Sequence, residues 1–389
     1  MNLKSVAITA LIGTLATAAF ADVDWIIKPG CSASGRMIVQ GTRDAGRGGK
    51  RIVPGMLLGT PEGNKAVKYR FLRIGSKQGF CFCGMNEKGL AIIYTGGEPS
   101  RDKNPAKVDG NTHKPHAATV IMLRSCATAE EAVRHMRNAS KKRIVAGNTT
   151  YLIADPTRAF VVECSPGHFA SSEIPHEFCV YSNNWRLPGM DGCSLGSAER
   201  TVFNFQREWA AREALRLAFD VRRKISVADS IRASRVSTEE ANGAGFAKRR
   251  GKFRVYAAPY NSSSADSYLF ELDKEFPGEL SCVYAAYGPF RHTVYLPIPM
   301  GATDALPKEV TDATYLDSVY RLRDAANAAD PVRPELLKFE NARIAEFAKV
   351  RETARGMLRA GNREEARQLL RSTLAKQARA TADFLNSLK

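Results

Sequence analysis

The chain has 389 residues, 44% of them hydrophobic, and a formal net charge of +17. That is enough chain for one large core or two modest ones, and it is too polar for a protein that lives in a bilayer. The charge attracts anionic envelope polymers, acidic substrates or nucleic acid over about a Debye length; neither a zinc-finger spacing nor an aromatic RNA-binding signature is present, which excludes nucleic acid as the favoured partner.

Lys4 precedes an apolar run from Val6 to Phe20 and the small-residue pattern Ala19-Phe20-Ala21. This reads as a secretory signal peptide over residues 1–21. The run is too short to span a bilayer and no other long apolar run follows, so an exported chain, periplasmic or secreted and without stable membrane insertion, is expected. Cleavage after Ala21 leaves residues 22–30, read as a propeptide, in front of Gly30-Cys31-Ser32. A Gly-Cys junction suits self-cleavage, because the thiol attacks the preceding carbonyl and glycine puts no side chain in the way. Hydrolysis of that ester would free Cys31 with its own α-amine, whose usual pKa of about 7.7–8.0 lets it serve as base for the adjacent thiol. Taken alone, Cys31 reads more often as a disulfide half or a buried thiol than as a nucleophile. Of the eight cysteines only Cys81 and Cys83 are closely spaced, and no Cys-x-x-Cys occurs, so no structural zinc is expected. The stretch Gly46 to Gly49, with Arg47, Lys50 and Arg51, reads as an anion-binding or mobile loop.

Further along, Val67-Lys-Tyr-Arg-Phe71 alternates at period two, and Thr150–Ala154 and Ala159–Glu163 are compact strands about the turn Asp155-Pro156-Thr157. Thr128-Ala-Glu-Glu131 is a capping box opening a helix to about Arg137, and Glu208 to Phe219 sets an Ala/Leu face against an Arg/Glu face. Ser267–Leu272 and Cys282–Tyr287 are two more strands. Beyond Pro297, Pro299 and Pro307 the composition changes. Residues 333–389 carry two apolar stripes, Leu337, Ile344, Phe347 and Leu358, then Leu370, Leu374 and Leu385, broken at Gly361-Asn362. This predicts a helical hairpin, basic by thirteen residues against seven acidic, which packs on its parent domain or contacts an oligomer partner or the envelope. Strand groups alternating with helices point to an α+β layered fold. The expected division is a catalytic body over 31–330 and a helical extension over 331–389.

Several motifs taken together carry a family resemblance. Cys31-Ser-Ala-Ser, Thr42-Arg43-Asp44, Met85-Asn-Glu-Lys-Gly-Leu90, Tyr181-Ser-Asn-Asn-Trp185 and Ser197-Ala-Glu-Arg200 follow one another in that order. Asn261-Ser-Ser-Ser, Ala286-Tyr-Gly-Pro289 through Pro297, and Tyr315-Leu-Asp-Ser-Val-Tyr-Arg-Leu continue the series. This order and spacing, over about residues 31–325, resembles the cysteine N-terminal-nucleophile (Ntn) hydrolases: choloylglycine hydrolase, penicillin V acylase, the acyl-coenzyme A:6-aminopenicillanate acyltransferases and the dipeptidase A type peptidases. The resemblance implies a four-layer αββα sandwich with two antiparallel sheets, and relatives often form homo-oligomers.

The resemblance also implies roles. Cys31 would be the nucleophile and Asp44 would hold its α-amine. Asn183, with Asn184 as the register alternative, would donate to the oxyanion, and a second donor would come from Tyr94 to Gly97. Arg200 would tie the network together. Relatives carry an arginine three residues before the aspartate; here Gly41 stands at that offset, so Arg43 or Arg36 takes the role or it is absent. The expected activity is hydrolysis of a linear C–N amide through a thioester, on a small-molecule amide or a dipeptide. Acyl transfer to an amine, and a non-catalytic exported binding protein on the same fold, are the alternatives. No Gly-x-Ser-x-Gly, His-Glu-x-x-His, phosphate-binding loop or dinucleotide fingerprint occurs, and no metal or cofactor is expected.

Overall fold

The computed structural model describes residues 22–44, 54–61, 66–76, 81–97, 114–175 save 143, 145 and 146, 177–190, 198–237, 240, 258–326 save 262, and 330–388. The expected signal peptide and the Gly46–Gly49 loop lie outside these residues. Two antiparallel sheets face each other. Six strands run in the order β10-β1-β2-β11-β12-β13, with β1 Val23–Ile27, β2 Met37–Asp44, β10 Phe178–Tyr181, β11 Ser264–Leu272, β12 Cys282–Tyr287 and β13 Leu296–Pro299. Seven form a meander: β3 Pro54–Gly59, β4 Phe71–Ser76, β5 Cys81–Asn86, β6 Ala91–Gly96, β7 Thr149–Ala154, β8 Ala159–Ser165 and β9 His168–Glu173. Helices α1 Pro115–Ser125 and α2 Ala129–Lys141 cover the outer face of the meander. The six-stranded sheet is covered by α3 Ala198–Arg222 and α4 Val227–Ser234, and, at its β13 edge, by α8 Pro334–Arg359 and α9 Arg363–Ser387. Short helices α5 Pro277–Leu280, α6 Lys308–Thr311 and α7 Leu316–Ala325 link these layers. The result is the expected αββα sandwich with a C-terminal hairpin.

Local chemistry explains the elements that the sequence foreshadows. The Asp155 carboxylate accepts from the backbone of Thr157 and Arg158, at 2.8 and 2.9 Å, and so closes the β7–β8 turn. Thr128 caps α2 by accepting from Glu131 N, while the Glu131 carboxylate reaches one residue further back than a capping box, to Ala127 N. The hairpin breaks at Gly361, whose φ of 86° is the left-handed conformation that ends a helix. The run Val67–Arg70 is not a strand, since the amides of Lys68 and Tyr69 donate to the carbonyl of Arg124 at the end of α1, and β4 begins only at Phe71. Among the described residues one hydrophobic core runs from β1 and β2 through to Leu336, Phe347, Leu370 and Leu385 of the hairpin.

The sharpest departure from expectation is β1. Residues 23–27 fall in the presumed propeptide, yet they form an interior strand paired with β10 on one side and β2 on the other, every residue buried. Trp25 is fully buried and its indole N–H donates to Ser230 on α4, 2.8 Å away. A stub destined for removal cannot be the middle of a sheet, since its loss would leave two rows of unpaired backbone groups inside the protein. The structure therefore corrects the propeptide of 22–30 and the start of the catalytic body at Cys31.

Candidate functional site

The hairpin of β1 and β2 decides where the expected site residues stand. In its register Val23 pairs with Thr42 and Ile27 with Ile38, so Asp44 lies beyond the start of β1 and Cys31 in the turn beyond its end. At about 3.4 Å per residue, the four steps from Val23 to Ile27 alone separate those ends by about 14 Å. Cys31 and Asp44 are thus at opposite ends of the hairpin and cannot act together.

Cys31 has the surroundings of a structural residue. Its N–H donates to the Lys28 carbonyl at 3.0 Å, its carbonyl accepts from Ile225 N at 2.7 Å, and its side chain is buried. Burial and the nearby Glu177 push its thiol above the usual cysteine range, the opposite of what an attacking thiolate needs. The assignment of Cys31 as nucleophile is corrected on this geometry. Arg36 stands at the same end, with Nε on Asp273 at 3.0 Å and Nη2 on Glu352 at 2.9 Å, which removes it as a substitute arginine.

At the other end, Asp44, Arg43 and Asn183 converge on Asp22, the residue at the head of β1. The Asp22 carboxylate accepts from Asp44 N at 3.0 Å and from Thr95 Oγ1 at 3.2 Å, and its carbonyl accepts from Ser182 Oγ at 2.7 Å. Asn183 Nδ2 donates to Thr95 Oγ1 at 2.9 Å and to the Gly96 carbonyl at 2.6 Å, so Asn183, Thr95 and Asp22 form one chain of hydrogen bonds. Thr95 lies within the Tyr94–Gly97 segment that the sequence marked as a source of a second donor. Asn184 faces away and accepts from Asn204 of α3. Asp44 is saturated: Ser264 Oγ, Asn261 Nδ2 and Arg207 Nη1 lie 3.1, 3.0 and 3.0 Å from its two oxygens. Arg43 is paired with Asp266, through Nε at 2.7 Å and through Nη2, and its guanidinium lies over the Phe82 ring at 3.9 Å.

Arg200 lies in the first turn of α3, and its side chain falls outside the described residues. The arginine that reaches Asp44 is Arg207, seven residues and so two turns later on the same helix face, fully buried and also bonded to the carbonyls of Ala258 and Pro259. Asp22, Asp24, Arg207, Asp266 and Tyr268 are the site residues that sequence reasoning missed, and Thr95 is one it marked only as part of a segment. The available signal was positional, since Asp22 follows the Ala19-Phe20-Ala21 cleavage pattern directly and heads a run, Val23–Ile27, long enough for a strand.

Strand alternation gathers these groups between the sheets. Gly41 pairs with Asp24, and a side chain at Gly41 would meet Asp24 Oδ1 and Ile93 of the facing sheet, both at 2.8 Å. Asp22, Asp24, Gly41, Thr42, Arg43 and Tyr268 line one wall of a small cavity, and Phe82, Cys83, Ile93 and Tyr94 line the other. Burial, then the neighbouring Asp44 carboxylate, raise the Asp22 carboxyl from 3.8 to about 7; burial, then Asp22, push Asp24 well above the carboxylate range. Among the described residues no cluster of His, Cys, Asp and Glu suits a metal ion, and no helix is long and apolar enough to cross a membrane.

The raised Asp22 pKa has a stability consequence whose sign is fixed. Between pH 3.8 and about 7 the folded protein holds a proton on Asp22 that the unfolded chain has released. Stability therefore falls as pH rises through that window and levels off above it. In thermal melts Asp22→Asn, which keeps the shape and removes the charge, should gain on the wild type steadily from pH 4 to 7, reaching on the order of a few kcal/mol. Parallel curves for the two proteins would show that Asp22 titrates normally.

No family model matches the chain, and no curated protein matches it. Among solved structures it is similar to a mutant of conjugated bile acid hydrolase from Clostridium perfringens, with 12% identity and a TM-score of 0.45 over 80% of this chain and 94% of that one. A second variant of that hydrolase gives 11% and 0.44 over 79% and 94%. Penicillin V acylase from Agrobacterium tumefaciens gives 14% and 0.40 over 72% and 86%.

Proposed function

We propose that the protein is an exported hydrolase of linear C–N amide bonds whose reaction centre is the polar cluster at the head of β1, where carboxyl groups rather than a cysteine thiol handle the proton. The observation that carries this reading is Asp22, buried at the head of an interior strand with a carboxyl near 7, the range in which a general base works best at neutral pH. The ordered series of motifs that resembles the Ntn hydrolases supports the reaction class. Loss of a signal peptide after Ala21 would make Asp22 the first residue of the mature chain without any self-cleavage. Its substrates are small acyl amides, dipeptides among them, and the basic surface favours anionic ones. A carboxyl at the head of β1 forms no acyl-enzyme that could wait for an amine, so hydrolysis by a resident water is the reading favoured over acyl transfer.

The exported protein is expected to begin at Asp22 and to cleave members of a panel of N-acyl amino acids and dipeptides. Asp22→Asn should lower kcat by about a hundredfold or more, whereas Cys31→Ala should stay within about twofold of wild type. Activity lost in Cys31→Ala and kept in Asp22→Asn would sink this reading. A second reading, an exported binding protein, draws on the absence of any hydroxyl or thiol on the residue that heads β1. It gains if no amide is cleaved while a panel member raises the melting temperature.

A further inference from the structure

The cavity between the sheets is lined by two buried carboxyls and by two buried donors. Among the described residues neither Asp22 nor Asp24 makes an ion pair, although both are more than nine-tenths buried. The nearby guanidiniums are committed elsewhere, Arg43 to Asp266 and Arg207 to Asp44. On the same cavity wall, Arg43 Nη1 and Tyr268 Oη are buried and have no hydrogen-bond partner among the described residues. Two buried carboxyls without an ion pair, each with lone pairs to spare, and two donors without a partner among the described residues therefore line one small space. Its volume is about 20 Å³, above the roughly 10–15 Å³ that one water needs.

Chemistry selects the occupant. An ammonium or metal cation would satisfy the carboxylates and be repelled by Arg43, and an anion would do the reverse. Water donates twice and accepts twice, which meets all four groups. We propose that this cavity holds one water molecule between Asp22, Asp24, Arg43 and Tyr268, and that this water is the nucleophile that attacks the amide. The second half rests on the hydrolase reading above, and it supplies the nucleophile that the head of β1 lacks as a side chain.

The step balances. A water O–H bond breaks and its proton passes to the Asp22 carboxylate, while the water oxygen bonds to the acyl carbon. The C–N bond then breaks, and the departing nitrogen takes the proton of the Asp24 carboxyl. A carboxylic acid and an amine leave, and Asp22 returns its proton to Asp24 through solvent. The surroundings fit these roles: burial, then Asp22, push Asp24 well above the carboxylate range, and burial, then Asp44, bring Asp22 to about 7. The charged and titratable groups that face the pair are Asp44 and Arg43 on β2, Arg207 on α3, Asp266 and Tyr268 on β11, Cys83 on β5 and Tyr94 on β6.

The test pairs a high-resolution crystal structure of the exported protein with kinetics of two variants, Gly41→Ala and Tyr268→Phe, on the amide that the substrate screen identifies. The expected result is one ordered water within hydrogen-bond distance of the four side chains. Tyr268→Phe should retain the fold and KM, and should lose about tenfold in kcat. Gly41→Ala, whose methyl enters against Asp24, should expel the water and lose more. A dry cavity, or density that refines as an ion, overturns the water site whatever the enzyme cleaves. An ordered water with kcat unmoved in both variants overturns its role as nucleophile while leaving amide hydrolysis standing. An ordered water in a protein that cleaves no amide overturns the hydrolase reading and the nucleophile with it.

Discussion

A chain that begins at Cys31 is expected not to fold. Its missing segment includes β1, and with it Val23, Trp25, Ile26 and Ile27, all fully buried. At about 1.5–3 kcal/mol for each large apolar side chain taken from water, their loss removes on the order of 10 kcal/mol. A whole domain is typically stable by about 5–15 kcal/mol, so that one deletion consumes the margin. The backbone adds to the damage, because among the described residues β10 joins the sheet through β1 alone and would lose that pairing. Circular dichroism of residues 31–389 should show no cooperative melt, and residues 22–389 should show one. A sharp transition in the shorter chain would restore the view of residues 22–30 as a removable stub, and with it the case for an N-terminal Cys31.

That prediction also marks the limit of what the sequence revealed. Strands whose ends carry strong local signals were legible: β12 spans Cys282–Tyr287 as its apolar run suggests, and β7 and β8 flank a turn written by Asp155. The hairpin break was legible because Gly361 supplies a left-handed residue between two apolar stripes. Strand β1 was not, because Val23–Ile27 is too short to announce itself beside the apolar run from Val6 to Phe20, and because Gly30-Cys31 offered a chemically attractive alternative. The error in the site follows from that one register. With β1 read as disposable, the Gly30-Cys31 junction supplies the nucleophile, whereas the hairpin brings Asp22 to Asp44 instead. The remaining site residues come from α3, β6 and β11, and no local pattern ties Arg207 or Thr95 to a strand some seventy to one hundred and sixty positions away.

Glu340→Ala is expected to destabilise the whole protein, not only the C-terminal hairpin. Glu340 sits on α8, nearly fully buried, and its carboxylate takes Arg235 Nη1 and Nη2 at 2.8 and 2.7 Å and Tyr295 N at 2.7 Å. Arg235 in turn donates to the carbonyls of Phe290 and Thr293, at 2.8 and 2.7 Å. Truncating the glutamate strands a buried guanidinium and an amide, at a cost of about 3–5 kcal/mol. Glu340→Gln, which keeps a carbonyl oxygen for Tyr295 N, should cost less. The double change Arg235→Met with Glu340→Met should recover much of the loss, because it removes both charges and fills their space. Urea unfolding separates the possibilities by the shape of the transition. If the hairpin belongs to the shared core, Glu340→Ala moves a single midpoint with m unchanged. If it is an appended unit, an early transition of low m appears and the main one stays put. The first outcome makes the basic hairpin part of what holds the six-stranded sheet, because the contacts it would lose join α8 to Arg235 just after α4 and to Tyr295 just before β13.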